Sequence, residues 1–257
     1  MTYTIQLAKV GSQEAPGPEV FFMESFDDWL PLWFTMAIVR GEGRTIVVNT
    51  GIEADVRHLV DGYRAWHPKA IFARSEEERT ERILERFGVD PADVDTVILT
   101  PLGFYSCGNI SLFRNAQVCM LRSGWAALLA PGPFAPDRPP ATAIPARELT
   151  YLLTTGWSKV RLLEDEDVVA PGIRTFFTGV HHPSSMGVAI ETTAGTVVYT
   201  DSSFHFRNVE ADVPVGIGRS QEEARRSYAR IRREADVLVA AYDPDVFERY
   251  PGGLIGG

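Results

Sequence analysis

The chain has 257 residues, of which 45% are hydrophobic and 23% charged, with a formal net charge of -9. That size and balance suit a globule with a sizeable core, and the acidity argues against a nucleic-acid partner, whose phosphates call for a basic surface. No apolar run approaches the ~20 residues of a membrane span, MTYTIQLAKV does not read as a signal peptide, and Cys107 and Cys119 are too few for a disulfide framework. The expectation is a cytoplasmic protein with neither a membrane nor a nucleic-acid partner.

Tyr3 to Val10 alternates apolar and polar residues and reads as a strand. Phe26, Trp29, Leu30, Leu32, Trp33 and Phe34 form an aromatic-rich segment, read as core, as an apolar substrate wall or as the contact of a homodimer. Phe34 to Val39 and Thr45 to Val48 flank Gly41-Glu42-Gly43 and predict a hairpin. Ser75 and Glu78 have capping-box spacing ahead of an apolar helix face at Ile83, Leu84 and Phe87, and Gly88 closes that helix. The chain then enters a buried strand from Val94 to Leu99. Residues 109–129 read as a short helix, a strand from Ala116 to Leu121 and a helix starting at Ser123. The proline-rich stretch 131–145 reads as a surface excursion, either a lid or a plain connector. Strands follow at 159–163, 173–177, 187–191, 196–199 and 236–241. Ser220 and Glu223 cap a basic helix over 221–234. No repeat or linker divides the chain, so residues 1–257 are expected to form a single domain.

Chemistry concentrates at the end of the buried strand. Residues 94–113 read VDTVILTPLGFYSCGNISLF. This frame resembles the metallo-β-lactamase superfamily, whose motif T-H-x-H-x-D-H-x-G-N binds zinc through its three histidines and its aspartate. Here those four positions hold Pro101, Gly103, Tyr105 and Ser106. Zinc takes thiolate, imidazole or carboxylate, and these residues offer none of them. The resemblance covers roughly residues 35–250 and is nearest to the lactonase-like branch, which includes the N-acyl homoserine lactone lactonases. Val47-Val48-Asn49-Thr50-Gly51 resembles V-D-T-G. Residues 178–183, TGVHHP, resemble T-P-G-H-T-P and place His181 on a ligand position, with Ser185 where another histidine often stands. Val198-Tyr199-Thr200-Asp201 resembles the strand that ends in the bridging aspartate. The last histidine position holds Tyr242, followed by Asp243. The lactonases' tyrosine, three residues after that aspartate, is Phe204 here, followed by His205.

The resemblance implies an α/β fold, a four-layer αββα sandwich with two mixed sheets face to face and helices outside. Of seven ligand positions two survive, His181 and Asp201, so the expected cofactor and metal are none. A residual one-metal hydrolase, with a third ligand from His182, His205 or Asp243, remains an alternative. In the vacated pocket His181 is the expected base, Asp201 its partner, and Ser106 or a water the nucleophile. Tyr105 and Tyr242 are expected to fill the metal cavity, to hydrogen-bond Asp201 and His181, and to stabilise an oxyanion. His182, Phe204, His205 and Asp243 are the expected substrate contacts. Ser106 is equally readable as a space filler, and Cys107 as a small buried residue. The function implied is a metal-independent hydrolase of a small ester, lactone or cyclic amide. The alternative is a non-catalytic protein that binds a small molecule or a protein partner. An open pocket would favour the first and a filled one the second.

Overall fold

The computed structural model describes residues 2–130 and 143–256; most of the proline-rich stretch therefore lies outside the described residues. Two mixed sheets carry the core, with helices packed on them. In chain order the first sheet takes β1 (Thr4–Pro16), β2 (Trp29–Gly41), β3 (Arg44–Val48), β4 (Phe72–Ala73), β5 (Thr96–Ile98), β6 (Gln117–Leu121) and β7 (Val160–Leu163). The second takes β8 (Glu166–Ala170), β9 (Ile173–Phe177), β10 (Met186–Thr192), β11 (Gly195–Thr200) and β12 (Val237–Ala240). A short closing strand, β13 (Leu254–Ile255), returns to the first sheet beside β1. The first sheet is ordered β13-β1-β2-β3-β5-β6-β7, antiparallel up to β3 and parallel beyond it. The second is ordered β12-β11-β10-β9-β8, with β11 and β12 parallel. Eight helices, α1 (Gly17–Val20), α2 (Arg57–Trp66), α3 (Thr80–Arg86), α4 (Arg122–Leu129), α5 (Ala146–Leu153), α6 (Phe206–Glu210), α7 (Gln221–Glu234) and α8 (Val246–Arg249), lie among the described residues.

Local chemistry explains the joints. The β2–β3 hairpin turns on Glu42 and Gly43, both at positive φ, the pairing that matches strand twist. Ser75 and Glu78 do form a capping box, but it closes a 3-10 turn over 76–78 that leads into α3, where Ile83 and Leu84 are buried. Ser220 caps α7, whose bounds agree with the sequence reading. β1 and β2 run on past the expected limits. These two 13-residue strands pair along their length, absorb a bulge between Lys9 and Gly11, and carry Leu32 and Phe34 into the core. Of the aromatic segment, Phe26 alone among its phenylalanines stands out from the surface.

The strands are aliphatic and buried: Ile38, Val47, Val97, Val188 and Val198 are all shielded from solvent. A few hydrogen bonds fix the sheets' relative placement. The Tyr199 hydroxyl donates to the Thr35 carbonyl at 2.8 Å, the Thr35 hydroxyl to the Ala241 carbonyl at 2.8 Å, and the Trp33 N–H to the Tyr242 carbonyl at 2.8 Å. This registration brings the carboxyl ends of β3, β5, β11 and β12 to one place. No described helix is long and apolar enough to cross a membrane.

Candidate functional site

Four chain segments converge there. β5 leads to Thr100, β11 delivers Asp201, β12 is followed by Tyr242, and the β9–β10 connection carries His181 and His182. Asp201 is fully buried. Thr100 and Ser185 each donate a hydroxyl to its carboxylate, one to each oxygen. Behind them the Thr100 N–H donates to Asn49 Oδ1 at 2.9 Å, and Asn49 Nδ2 to the Tyr199 hydroxyl at 3.2 Å. Asn49 stands at φ +64, a left-handed conformation asparagine tolerates better than most residues. Burial pushes the Asp201 carboxyl up to about 6, against the opposing effect of the two hydroxyls.

His181 lies beside this carboxylate, its Nδ1 3.8 Å from Asp201 Oδ2. That is contact without a hydrogen bond. The side chain is 7% exposed, and its ring meets Phe204 edge-on at 5.0 Å and Tyr242 at 6.2 Å between centroids. Burial first, and His182 second, pull the imidazole down to about 3, so His181 is neutral at neutral pH and makes no ion pair with Asp201. Among the described residues, neither His181 ring nitrogen nor the Tyr242 hydroxyl has a hydrogen-bond partner, and all three atoms are buried. Each such orphan costs about 1–3 kcal/mol.

Aromatic rings fill the centre. Tyr105 stacks on Phe34 at 4.7 Å with planes 2° apart, and it meets Tyr242 edge-on at 5.5 Å. Gly103 gives that ring its room, since a Cβ there would come to 3.0 Å from Tyr105 Cζ. Phe204 packs against Tyr242 at 5.4 Å. Tyr105 and Tyr242 thus stand together at the centre of this cluster of rings. The hydrogen bonds to Asp201 come from Thr100 and Ser185 instead, because short hydroxyls on adjacent loops reach the carboxylate and the phenols do not. A filled centre is the arrangement named above as favouring a binding role.

Other expected site residues go elsewhere. Ser106 donates its hydroxyl to the Pro101 carbonyl and accepts from the Gly103 N–H at 3.2 Å, so it closes its own turn and does not meet His181. Cys107 beside it is buried, and burial pushes its thiol up to about 12. His205 caps α6 and places Nε2 2.9 Å from the Pro31 carbonyl oxygen. Asp243 accepts the N–H groups of Phe206 and Asp245. Both hold backbone, and neither faces His181. Thr100 and Ser184 were given no site role from sequence, Asn49 was read only as a motif position, and Phe34 only as part of the aromatic segment. Thr100 ends the quoted motif strand and Ser184 sits between His182 and Ser185, and those positions were the available signals.

The loop that presents the histidines is strained. Val180 adopts φ +72, a conformation that costs a β-branched residue about 1–3 kcal/mol. The T-P-G-H-T-P pattern has glycine at that point. Here α7 and the residues just before it supply the restraint. Glu223 Oε1 accepts the Val180 N–H at 2.7 Å, and the Arg219 N–H donates to the Val180 carbonyl at 2.6 Å.

Zinc does not fit these residues. Both Asp201 oxygens are occupied by hydroxyl donors, and the remaining positions except His181 offer proline, glycine, serine and phenols. Among the described residues no group of three or more His, Cys, Asp or Glu side chains is placed to hold a metal ion.

Comparison with known proteins gives a consistent lineage. The model of the metallo-β-lactamase superfamily matches residues 35–246. An N-acyl homoserine lactonase of Bacillus thuringiensis is 26% identical over 223 residues, covering 83% of this chain and 82% of its own. One from Bacillus cereus is 27% identical, covering 85% and 80%. Among solved structures, an N-acyl homoserine lactone hydrolase with N-hexanoyl-L-homoserine bound at its catalytic metal centre superposes with a TM-score of 0.80. It is 22% identical and covers 97% of each chain. With two mixed sheets flanked by helices and a model match over most of its length, the chain belongs to the metallo-β-lactamase superfamily.

Proposed function

We propose that this chain is a metal-independent hydrolase of small neutral lactones, esters or cyclic amides, acting through a bound water. One observation carries the reading: His181, with both ring nitrogens buried and unpartnered, lies 3.8 Å from the Asp201 carboxylate and beside the orphaned Tyr242 hydroxyl. These atoms have hydrogen-bonding capacity that the protein leaves unused. A water on His181 and a carbonyl oxygen on Tyr242 would satisfy them.

In this reading His181 takes a proton from water as its oxygen adds to the carbonyl carbon. Tyr242 donates to the developing oxyanion, and Asp201 favours the transient imidazolium by charge. The acyl C–O (or C–N) bond then breaks, and His181 returns the proton to the leaving oxygen or nitrogen. Ser106 has no part, since its hydroxyl is bound within its own turn. Phe204 and Tyr105 form apolar walls. The chain is taken as one domain working in the cytoplasm, and size-exclusion chromatography tests the homodimer suggested by its aromatic segment.

A second reading, binding without turnover, is favoured by the rings of Tyr105 and Tyr242 in the centre. A panel of N-acyl homoserine lactones, simple lactones and esters separates the two. Hydrolysis above the buffer rate, abolished by His181→Ala, supports the first. Saturable binding with no product supports the second.

A further inference from the structure

His182 is not accounted for by the chemistry at His181, and its surroundings fix its protonation in an unusual way. Ser184 is fully buried behind it. The Leu102 N–H donates to Ser184 Oγ at 2.6 Å, which makes that oxygen an acceptor. The Ser184 N–H, which can only donate, reaches His182 Nδ1 at 3.2 Å and marks that nitrogen as an acceptor, so Ser184 Oγ, 2.5 Å from the same nitrogen, turns its one proton to it. Nδ1 therefore receives hydrogen bonds and holds no proton. A neutral imidazole with an accepting Nδ1 must carry its proton on Nε2. That Nε2–H has no protein partner among the described residues.

The pair is packed from two sides. The preceding residue but one, Val180, is held in its left-handed conformation by Glu223 and Arg219. The N-terminal turn of α4 presses on the other side, where a Cβ at Gly124 would come to 2.2 Å from Ser184 Cβ. Burial, with Arg219 as the second influence, favours the neutral ring. The His181 and His182 rings are 6.5 Å apart between centroids, nearly edge to face. One strained loop thus holds two adjacent histidines in different states. His181 is unpartnered at both nitrogens, while His182 is fixed at one nitrogen and offers a single N–H at the other.

We infer that His182 is a dedicated neutral hydrogen-bond donor for a carbonyl oxygen of the bound ligand, and that Ser184 is the positioning residue that sets its tautomer. The donor role rests on the hydrolase reading above; the tautomer does not. A neutral N–H suits a carbonyl, because it polarises the oxygen without surrendering a proton.

Two measurements test this. Two-bond proton–nitrogen NMR on the ¹⁵N-histidine-labelled protein reads the tautomer directly. The expected pattern for His182 is the Nε2–H form at neutral pH, and Ser184→Ala, checked for folding by its melting curve, should give a mixture of tautomers. A wild-type ring found in the Nδ1–H form, or a pattern indifferent to Ser184→Ala, overturns the inference. Should that variant not fold, the wild-type spectrum and the conservative Ser184→Cys variant carry the test. The second measurement titrates wild type and His182→Ala with 2-(hexanoylamino)cyclopentanone, a ring ketone that has no ring C–O or C–N bond to break. The variant should bind about tenfold more weakly, the value of one neutral hydrogen bond. Equal binding overturns the donor role. No binding to either protein, with the tautomer as expected, overturns the donor role and the hydrolase reading together and leaves Ser184's positioning of the ring standing.

Discussion

Replacing Asp201 by asparagine should make the protein more stable than wild type as pH rises. The Asp201 carboxyl is buried with its protonation shifted from 3.8 up to about 6, chiefly by burial. A carboxyl whose folded value is raised contributes stability that is fully present below the unfolded value, near pH 3.8, and is lost as pH climbs through about 6. Two units correspond to about 3 kcal/mol in all, and about 2 kcal/mol of that falls between pH ~4.5 and ~7.5. Asparagine has no charge to bury. Its amide can still meet the hydroxyls of Thr100 and Ser185, since both can rotate. The lowered values of His181 and His182 act the other way in wild type, removing stability as pH falls below ~6.5. Burial, the main cause for both rings, is the same in the two proteins, so their effect largely cancels in the difference. Urea unfolding of both proteins at about pH 4.5 and 7.5 measures it. The asparagine variant should gain about 2 kcal/mol on wild type across that interval. A difference that stays constant with pH would refute the reasoning, as would a gain at the acid end.

Tyr242→Phe should raise stability by about 1–3 kcal/mol, because it deletes a buried hydroxyl without a partner, and it should lower turnover of any substrate found; a destabilised variant would show that this hydroxyl is satisfied. Ser106→Ala should leave turnover unchanged and cost about 1 kcal/mol through its lost turn bond to Pro101; loss of nearly all activity would restore it as the nucleophile. Cys107 should resist thiol reagents in the native protein and react once it is unfolded, as expected for a buried thiol pushed up to about 12; fast native labelling at Cys107 would contradict that burial.

The fold was legible because its signals are local and repeated. The Glu42-Gly43 turn, the Ser75 and Ser220 caps and the strand leading to Thr100 all follow from residue type and period. α2 was missed although Leu59, Val60 and Tyr63 recur at helical spacing and pack half-buried against the core, because no capping side chain marks its start at Val56 and Gly62 interrupts its sequence. β8 was missed because it lies at the edge of its sheet, with Val168 exposed. The convergence of His181, Asp201, Tyr105 and Tyr242 was readable from the family frame, which fixes where strands end. Partners were harder to read. Sequence gives no sign that Ser185 and Thr100 would take both oxygens of Asp201, nor that Ser106 would turn back on Pro101, because each depends on a loop closing to within a fraction of an ångström. The two capping residues His205 and Asp243 looked like site residues for the same reason, being polar groups next to a motif whose direction is set by the backbone they hold.

The central claim is that these residues do their chemistry without a metal. Its direct test is the initial rate of lactone hydrolysis by protein stripped with a chelator, with and without zinc restored, in wild type and in His181→Ala. The account predicts one wild-type rate in both conditions and a loss of about 10²–10⁴ in the variant. Activity that appears only with zinc would contradict it.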